Sequence, residues 1–294
     1  MKPVRIFVLI PVFNRLQHTK QVLDDLRRQT LVGALHLVVI DDGSTDGTSD
    51  FLASQQDVVT LRGNGSLWWG GAIQSGLEYV RTQEPTDRDY VLFLNNDTSF
   101  EPGYVETLVE TSRSHGDAAV GSVIHEPGRD PPLTSIGARV NINGLAVWDR
   151  LSELTPEEVR ANKATYQVDA LSGRGTLYPA MLFSRFGMMR PWLLPHYFAD
   201  YEVAMRFARH GVRLLVATGA IVYSPPVYGN DVSRFNWWER HFSPRSSSNI
   251  IRKVLFYLLV GTPLQRLTAP FRMLYFSCAR ALFSCAGTLI TWMR

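Results

Sequence analysis

Short apolar runs alternate with segments of helical periodicity over the first 117 residues. The runs that are apolar enough to form buried strands are Arg5–Pro11, Leu35–Ile40, Val58–Leu61 and Tyr90–Leu94. The segments expected to form helices are Leu16–Arg28, Thr48–Gln55, Gly70–Thr82 and Pro102–His115. Strands that alternate with helices are typical of a parallel sheet with helical crossovers. The pattern therefore predicts an α/β fold, in which ligands bind beyond the carboxyl ends of the strands.

The pattern changes after residue 118. The strands predicted there are shorter and lie between glycine and proline turns, at Ala118–His125, Ser135–Asn143, Leu145–Leu151, Val168–Gly173, Gly175–Pro179, Arg213–Ala217 and Ala220–Tyr223. Helices are expected at Glu157–Lys163, Ser184–Gly187 and Asp200–His210. A connection rich in turn-forming residues, Ser224–Arg234, ends this part of the chain. We therefore divide the chain into regions 1–117, 118–239 and 240–294.

Charge is distributed unevenly along the 294 residues. The chain carries 30 Lys and Arg against 27 Asp and Glu, a net charge of +3. Eight of the basic residues and no acidic residue lie in 240–294, so this region is +8 and residues 1–239 are −5. With 45% apolar and 19% charged residues, the composition excludes a disordered chain. Cys278 and Cys285 lie two helical turns apart and are expected to be buried thiols in a reducing compartment.

The basic C-terminal region is also apolar. Its longest uncharged runs, Val254–Gln265 and Ala281–Met293, are shorter than the roughly 20 residues of a membrane-spanning helix. Such a region can lie on an anionic membrane surface, or it can pack as a helical layer on the body or on a second subunit, as in a homodimer. Because its charges are interleaved with apolar residues, nucleic acid is not expected as a partner. We expect a cytoplasmic protein, peripheral on the inner face of the cytoplasmic membrane.

Two acidic residues, Asp41 and Asp42, follow directly on the second predicted strand. Carboxylates at this place can accept hydrogen bonds from a nucleotide base or from ribose hydroxyls. The alternative is an Asx turn with a helix cap, for which Ser44, Asp46 and Thr48 suffice. Two consecutive acids exceed what a cap requires, so we favour the ligand role. No Gly-x-Gly-x-x-Gly sequence follows the first strand, which disfavours a Rossmann dinucleotide site.

The sequence Asn95-Asn96-Asp97 follows the fourth predicted strand. Its carboxylate and amide oxygens are hard ligands that suit Mg²⁺ or Mn²⁺ carried on a diphosphate. With a single carboxylate, the phosphates and water would have to supply the remaining ligands. The alternative is a turn with a helix cap at Thr98 or Ser99.

Asp200 and Glu202 lie at the start of a predicted helix, where carboxylates are electrostatically favoured in any case. The functional interpretation is a general base, which needs a carboxylate close to an acceptor hydroxyl. Aromatic residues crowd the preceding segment 191–198, and a second aromatic surface lies at Trp68-Trp69 beside two glycines. Aromatic faces near a carboxylate suit a sugar, although either surface could equally belong to the core.

Together, these motifs resemble the inverting family 2 glycosyltransferases of GT-A fold. The stretches that match, in family order and at family spacing, are Ile10–Asn14, Val39–Thr48, Leu94–Thr98 and Ala199–Arg206. The features that look most like the rhamnosyltransferase-type branch, which builds bacterial surface polysaccharides, are Asn95–Thr98, Asn64-Gly65, Trp69–Gly71 and Gly173–Gly175. The resemblance covers about residues 4–223. It implies a nucleotide-sugar-binding half at 1–117, a fused acceptor-binding and catalytic half at 118–239, and C-terminal helices.

The resemblance also implies a role for each matching residue. The residues expected to bind the nucleotide are Pro11, Phe13, Asn14, Asp41, Asp42, Asn64, Asn95 and Asn96. Asp97 stands at the metal position and implies Mg²⁺ or Mn²⁺ as cofactor, whereas the histidine that many relatives carry after the last strand is replaced by Ser224. Asp200 matches the catalytic base. The residues expected to bind the acceptor are Glu202, Trp69, Arg174, His196 and Tyr197.

The implied reaction is a single in-line displacement that moves a sugar from a nucleotide-sugar to a saccharide or lipid-linked saccharide. dTDP-L-rhamnose is the first expectation for the donor, and a UDP-hexose or UDP-galactofuranose is the second. Three alternatives stay open: a retaining transferase, a sugar-1-phosphate nucleotidyltransferase, and a catalytically silent sugar-nucleotide-binding subunit.

Overall fold

The computed structural model describes residues 4–161, 163–225, 235–269 and 271–272. Cys278, Cys285 and the run Ala281–Met293 lie outside the described residues, and so does most of the predicted connection Ser224–Arg234. The strands are β1 (Ile6–Val12), β2 (Leu35–Asp41), β3 (Val58–Arg62), β4 (Tyr90–Phe93), β5 (Ala119–His125), β6 (Leu133–Ser135), β7 (Ala138–Asn141), β8 (Ala146–Asp149), β9 (Thr165–Gln167), β10 (Thr176–Pro179) and β11 (Leu214–Tyr223). The α-helices are α1 (Leu16–Arg27), α2 (Thr48–Ala53), α3 (Trp68–Thr82), α4 (Tyr104–Ser114), α5 (Pro156–Arg160), α6 (Met181–Phe186), α7 (Ala199–Arg209), α8 (Trp237–Phe242) and α9 (Ile250–Val260).

One mixed sheet of nine strands forms the centre of the protein. Its order is β3-β2-β1-β4-β10-β5-β11-β9, with β6 paired to β5. The pairs β1–β2, β1–β4, β2–β3 and β5–β11 are parallel, and β10 runs antiparallel between β4 and β5. The predicted regions 1–117 and 118–239 therefore share a single sheet. The mixed, parallel-rich sheet confirms the predicted α/β class.

Helices cover both faces of this sheet, which explains why the central strands are apolar at nearly every position. Successive side chains of a strand point to opposite faces. Ile6, Val8 and Ile10 of β1 accordingly belong to one buried layer with α1 and α4, whereas Phe7 and Leu9 belong to the other layer with α3, α7 and α9. A hydrophobic core thus covers each face of the sheet, and the loops at the strand ends can form a binding site.

The second region departs from the sequence expectations in several places, and its strand β9 was not predicted at all. The predicted strand Ser135–Asn143 is divided into β6 and β7 at Gly137, whose φ of +94° glycine tolerates best. The predicted strand Val168–Gly173 is wrong, because the chain there is irregular apart from one bridge between Ala138 and Ala170. The two strands predicted at 213–217 and 220–223 are a single strand, β11, with a bulge.

The described part of the C-terminal region packs on the body as a helical layer. Phe256 of α9 is fully buried and stacks on Phe198, which precedes α7, with 5.0 Å between the ring centroids. The Arg252 guanidinium donates a hydrogen bond of 2.5 Å to the carbonyl of Leu193. Among the described residues, no helix combines the length and the apolar character that crossing a bilayer requires. The helical layer that the sequence left open as an alternative is therefore present in this part of the region.

Candidate active site

A cleft of about 730 Å³ opens beyond the carboxyl ends of β1, β2 and β4. Residues from the loops after all three strands line it, as expected for a parallel sheet. The lining residues are Pro11, Val12, Phe13, Arg15, His18, Asp42, Gly65, Trp68, Trp69, Ala72, Asn95, Asn96, Asp97, Arg174, His196, Tyr197, Ser224, Pro225 and Arg245. Five predicted site residues do not line it, namely Asn14, Asp41, Asn64, Asp200 and Glu202. The fold thus gathers most of the predicted residues from distant parts of the chain into one cleft.

Asp42 lies in the cleft wall and caps helix α3 from outside. One carboxylate oxygen accepts a hydrogen bond from the Gly65 amide at 2.8 Å, and the other accepts from the amides of Leu67 and Trp68 at 2.9 and 3.2 Å. A carboxylate is favoured at this end of a helix, where backbone N–H groups lack internal partners. Asp42 is therefore held in one position, with its side chain at the edge of the cleft.

Asp41 and Asn14 hold the loops that carry the cleft residues. The Asp41 carboxylate accepts hydrogen bonds from the Ser44 amide at 3.0 Å and from the Ser49 hydroxyl. The Asn14 side chain accepts from the Thr45 amide at 2.8 Å, and the Asn14 amide donates to the Ser44 hydroxyl at 2.7 Å. These contacts join the loop after β1 to the loop after β2. Asp41 thus makes the local turn that the sequence left open as an alternative.

Asn64 has a similar local role in the loop before α3. Its side-chain oxygen accepts from the amide and the hydroxyl of Ser66, at 3.1 and 2.6 Å. This loop leads to Trp68, which lines the cleft with a φ of +55°. A bulky residue with this backbone conformation is uncommon, and such residues cluster at binding sites.

The Asn95 and Asn96 side chains connect the loop after β4 to its neighbours. The Asn95 side-chain oxygen accepts a hydrogen bond of 3.0 Å from the indole N–H of Trp69. The buried Asn96 amide group donates to the Thr19 hydroxyl of α1 at 3.2 Å. Both residues line the cleft, and each uses one side-chain polar atom in a hydrogen bond that holds the cleft wall in place.

Asp97 is the residue at which a cation fits. Its Oδ2 accepts an ion-paired hydrogen bond of 2.6 Å from Arg15, whereas its Oδ1 is buried and has no hydrogen-bond partner among the described residues. Buried carboxylate oxygens without a partner are rare in native proteins, so this atom is suited to a ligand. No three His, Cys, Asp or Glu residues in the described part of the chain lie close enough together to hold a metal ion. A cation at Asp97 would therefore need ligand atoms from a bound diphosphate.

Asp200 lies at the start of α7, beside the cleft but not in its lining. Its Oδ2 accepts from the Gly173 amide at 2.8 Å and its Oδ1 accepts from the Tyr201 amide at 2.9 Å. Burial raises the pKa of Asp200, although these two amides and the Arg174 guanidinium act in the opposite direction. Arg174 follows Gly173 and does line the cleft. A carboxylate with a raised pKa beside a cleft is a candidate for proton transfer.

Glu202 does not fit the acceptor-binding role predicted for it. The carboxylate is buried and accepts hydrogen bonds from Arg206 at 3.0 and 3.1 Å, with Arg190 at 3.3 Å. Arg206 also donates to the carbonyls of the segment 186–188. Because its oxygens are committed to two arginines, Glu202 fastens α7 to this segment. Arg206 follows Glu202 by four positions, so the sequence did contain a signal for the pair.

An aromatic wall closes the cleft on the side of α7. The His196 ring lies 5.9 Å from the Trp68 ring and 4.6 Å from the Tyr197 ring. Nδ1 of His196 is buried without a hydrogen-bond partner among the described residues, and burial lowers the pKa of this imidazole. The ring is therefore uncharged at neutral pH and offers an unused nitrogen. Such a wall suits a sugar ring, whose apolar face packs on aromatics while its hydroxyls find polar atoms.

Trp69 is fixed between the aromatic wall and the loop after β4. It packs edge to face on Phe93 at 5.9 Å, and a Cβ atom added to Gly173 would lie 2.0 Å from its Cζ2. Gly173 is therefore required by the indole that rests on its backbone.

Several cleft residues were missed by the sequence reasoning. Arg15 directly follows the matched stretch Ile10–Asn14, so its position was a usable signal. His18 lies on the first turn of α1 and carries no motif. Arg245 comes from the loop between α8 and α9, more than twenty residues after the last strand, where nothing local indicates a site.

Comparisons with known proteins agree with this geometry. The family model described as "Glycosyl transferase family 2" matches residues 7–184. The chain is 30% identical over 118 residues to the uncharacterized protein MJ1222 of Methanocaldococcus jannaschii, covering 40% of this chain and 46% of that protein. It is 28% identical over 141 residues to the glycosyltransferase AglJ of Haloferax volcanii, covering 47% of this chain and 43% of AglJ. The chain therefore spans less than half the length of these curated relatives.

A solved structure shares the fold. The crystal structure of GalNAc-T7 with UDP, GalNAc and Mn²⁺ superposes with a TM-score of 0.57 at 15% sequence identity, covering 76% of this chain and 44% of that one. At this identity the likeness shows the fold alone, and it confirms the GT-A architecture.

Proposed function

The chain belongs to glycosyl transferase family 2, and we propose that it is an inverting glycosyltransferase acting on a nucleotide-sugar donor. The acceptor is a hydroxyl of a saccharide or of a lipid-linked saccharide. One observation supports this most strongly: the loops after β1, β2 and β4 converge on one cleft in which the Asp97 carboxylate has a buried oxygen without a partner.

The donor nucleotide would bind in the part of the cleft formed by Pro11, Phe13 and Asp42. Phe13 is 57% exposed and lines the cleft, so its ring is accessible to a ligand. Its ring suits the flat face of a base, and Asp42 suits a base N–H or a ribose hydroxyl. Asn95 and Asn96 stand beside it and suit the ribose.

Asp97 would hold Mg²⁺ or Mn²⁺ together with the donor phosphates. The bound cation would offset the negative charge that develops on the departing diphosphate. The other residues act without it: Arg15 orients the Asp97 carboxylate through their 2.6 Å ion pair, and Trp69 keeps the neighbouring Asn95 in place.

Asp200 would act as the general base. As the acceptor oxygen forms its bond to the anomeric carbon, the bond from that carbon to the diphosphate oxygen breaks and the diphosphate leaves with the electron pair. The acceptor hydroxyl gives its proton to Asp200, whose raised pKa suits proton uptake. Because the displacement is direct, the anomeric configuration inverts. Trp69, Arg174, His196 and Tyr197 would form the acceptor side of the cleft.

For the donor sugar we propose L-rhamnose carried by dTDP, with a UDP-hexose or UDP-galactofuranose as the second candidate. The support is the resemblance of the Asn-Asn-Asp-Thr sequence at 95–98 to the rhamnosyltransferase-type branch. The product would then belong to a bacterial surface polysaccharide such as an O-antigen.

We further propose peripheral attachment to the inner face of the cytoplasmic membrane through helix α8 and the C-terminal region, which begins within this helix. Helix α8 exposes Trp237 (60%), Trp238 (69%) and Phe242 to solvent, next to the basic Arg240. Tryptophan beside basic residues is favoured at the interface between an anionic bilayer and water. A second copy of the chain is the competing occupant of this surface.

The decisive experiment is a screen of nucleotide-sugars with Mg²⁺ or Mn²⁺, which measures thermal stabilisation and release of the nucleoside diphosphate. A transferase is stabilised by one donor and turns it over with a matching acceptor. Stabilisation without hydrolysis or transfer, against all acceptors tried, would identify the silent binding subunit instead.

A further inference from the structure

The C-terminal helical layer contributes a cation to the cleft. Arg245 lies in the loop between α8 and α9 and lines the cleft together with Ser224 and Pro225, which follow β11. All three residues lie beyond the family match at residues 7–184, and Arg245 also lies beyond the motifs that the sequence presents.

Arg245 differs from the other two arginines of the cleft in having an unused guanidinium. Arg15 is ion-paired with Asp97 at 2.6 Å, and Arg174 donates to the Ser224 hydroxyl at 3.4 Å. Within the described ranges, the Arg245 guanidinium makes no ion pair or hydrogen bond, and only its backbone amide is engaged, by the Ser243 hydroxyl at 3.2 Å. An exposed cation without a partner at the edge of a cleft is available to an anionic ligand.

The loop that carries Arg245 is a fixed structure. Ser246 is fully buried, and its hydroxyl donates to the Arg240 carbonyl at 2.6 Å. The buried Asn249 side chain donates to the carbonyls of Phe242 and Ser243 at 2.8 and 3.1 Å, and its oxygen caps α9 by accepting from the Arg252 amide in the first turn of that helix. Helix α9 is in turn packed on Phe198. The loop that carries the Arg245 guanidinium is therefore held against the body of the protein.

The charge balance of the cleft indicates the ligand. Asp42 is engaged by three backbone amides, and Asp97 is paired with Arg15 through Oδ2, which leaves Oδ1 of Asp97 without a partner among the described residues. A nucleoside diphosphate brings at least two negative charges into this space, and guanidinium groups bind phosphate through paired hydrogen bonds. We propose that Arg245 binds the diphosphate of the donor, so that the C-terminal helical layer completes the donor site. This inference rests on the proposed function and extends it beyond the matched domain.

The test compares Arg245→Ala, Arg245→Lys and the matched control Arg240→Ala in the full chain. Arg240 has the same charge, lies on α8 and does not line the cleft. Calorimetric titration with UDP and with dTDP, each with Mg²⁺, gives the affinity for the diphosphate, and displacement by uridine or thymidine gives the affinity for the nucleoside. We expect Arg245→Ala to weaken diphosphate binding about tenfold, Arg245→Lys to weaken it less, and Arg240→Ala to leave it unchanged. Nucleoside affinity should stay within about twofold throughout.

The outcomes separate the two proposals. If the unmodified chain binds neither diphosphate, the proposed function fails and this inference fails with it. If the chain binds a diphosphate but Arg245→Ala binds it equally well, only the inference is overturned. Equal weakening by Arg245→Ala and Arg240→Ala would also overturn it, because a general charge effect would then explain the loss. Both arginines are exposed, so melting curves should show all variants folded.

Discussion

The indole Nε1 of Trp69 donates a hydrogen bond of 3.0 Å to Oδ1 of Asn95. This bond joins the start of α3 to the loop after β4, so that two walls of the cleft are fixed relative to each other. The same indole rests on the backbone of Gly173, whose amide donates to Asp200. The start of α3, the loop after β4 and the proposed base Asp200 are thus connected through one side chain.

Gly173→Ala should therefore disturb the whole cleft. The added Cβ would lie 2.0 Å from Cζ2 of Trp69, so the indole or the backbone must move, and we expect a loss of about 1–3 kcal/mol in the free energy of unfolding. The control Gly103→Ala, at a position with open space around it, should change stability by less than about 1 kcal/mol. Urea unfolding measures both, and equal effects would refute the packing argument.

The buried pair of Glu202 and Arg206 should matter for stability. Arg206→Ala leaves a buried carboxylate whose nearest remaining cation is Arg190, at 3.3 Å, and we expect a loss of about 3–5 kcal/mol. The control Arg185→Ala removes the exposed pair with Asp87 and should cost no more than about 1 kcal/mol. Urea unfolding measures the loss of unfolding free energy for both variants. Similar losses would contradict the conclusion that the Glu202–Arg206 pair fastens α7 to the segment 186–188.

Asp97→Asn tests the cation position. The amide keeps the shape of the carboxylate but removes its charge, so a divalent cation should no longer strengthen nucleotide binding. In the unmodified chain, we expect Mn²⁺ to tighten binding of a nucleoside diphosphate by about tenfold, or about 1.4 kcal/mol. Calorimetry with Mn²⁺ and with a chelator should give the same affinity for the variant. The exposed Asp87→Asn is the control, and a variant at Asp97 that still responded to Mn²⁺ would place the cation elsewhere.

The double change Trp237→Ser and Trp238→Ser tests membrane attachment. Removing two exposed indoles should weaken binding to anionic phospholipid vesicles by about tenfold, as judged by co-sedimentation. Trp192→Ser is the control, since Trp192 is 71% exposed and lies outside both helix α8 and the C-terminal region. Unchanged vesicle binding with a loss of dimer in light scattering would assign this surface to a second subunit.

Much of the fold was predictable because its central strands are buried on both faces. β1 to β4 follow the apolar runs to within a residue or two, and Asp42 and Asp97 were expected in one site because parallel strands end at one edge. The position of β10 between β4 and β5 was not predictable, because nothing in its four residues distinguishes one place in a sheet from another. Tertiary contacts alone decide that place.

Most predicted residues that directly follow a strand do line the cleft. The predictions were incomplete where contacts between distant parts of the chain determine which residues reach the cleft. Asp41 and Asn14 carry the expected residue types, but their hydrogen-bonding atoms are used elsewhere. The Asp41 carboxylate is engaged within its own loop, and the Asn14 side chain is engaged by that same loop, which neighbours its own. Glu202 was expected at the acceptor, whereas in the structure two arginines engage its carboxylate. Arg245 was missed because it reaches the cleft only through the packing of α9 on Phe198.

Asp200 also has a predicted effect on stability. Its folded-state pKa is raised by burial, so folding favours the protonated carboxyl. Asp200 therefore adds to the free energy of unfolding at low pH. This stabilisation is fully present below the pKa that Asp200 has in the unfolded chain, and it is lost as the pH rises through its pKa in the folded protein. Asp200→Asn removes a charge that is costly to bury, so at neutral pH the variant should unfold at higher urea concentration than the unmodified chain. That difference should shrink as the pH is lowered, and a constant difference would contradict the raised pKa.

The most direct measurement is the transfer rate of Asp200→Asn beside its affinity for the nucleoside diphosphate. If Asp200 takes the proton of the acceptor hydroxyl, kcat should fall about 100- to 10,000-fold while the affinity stays within about twofold. In the unmodified enzyme, the acidic limb of kcat/KM should lie above the pKa of an ordinary aspartate. Full turnover by Asp200→Asn would contradict the assignment of Asp200 as the base.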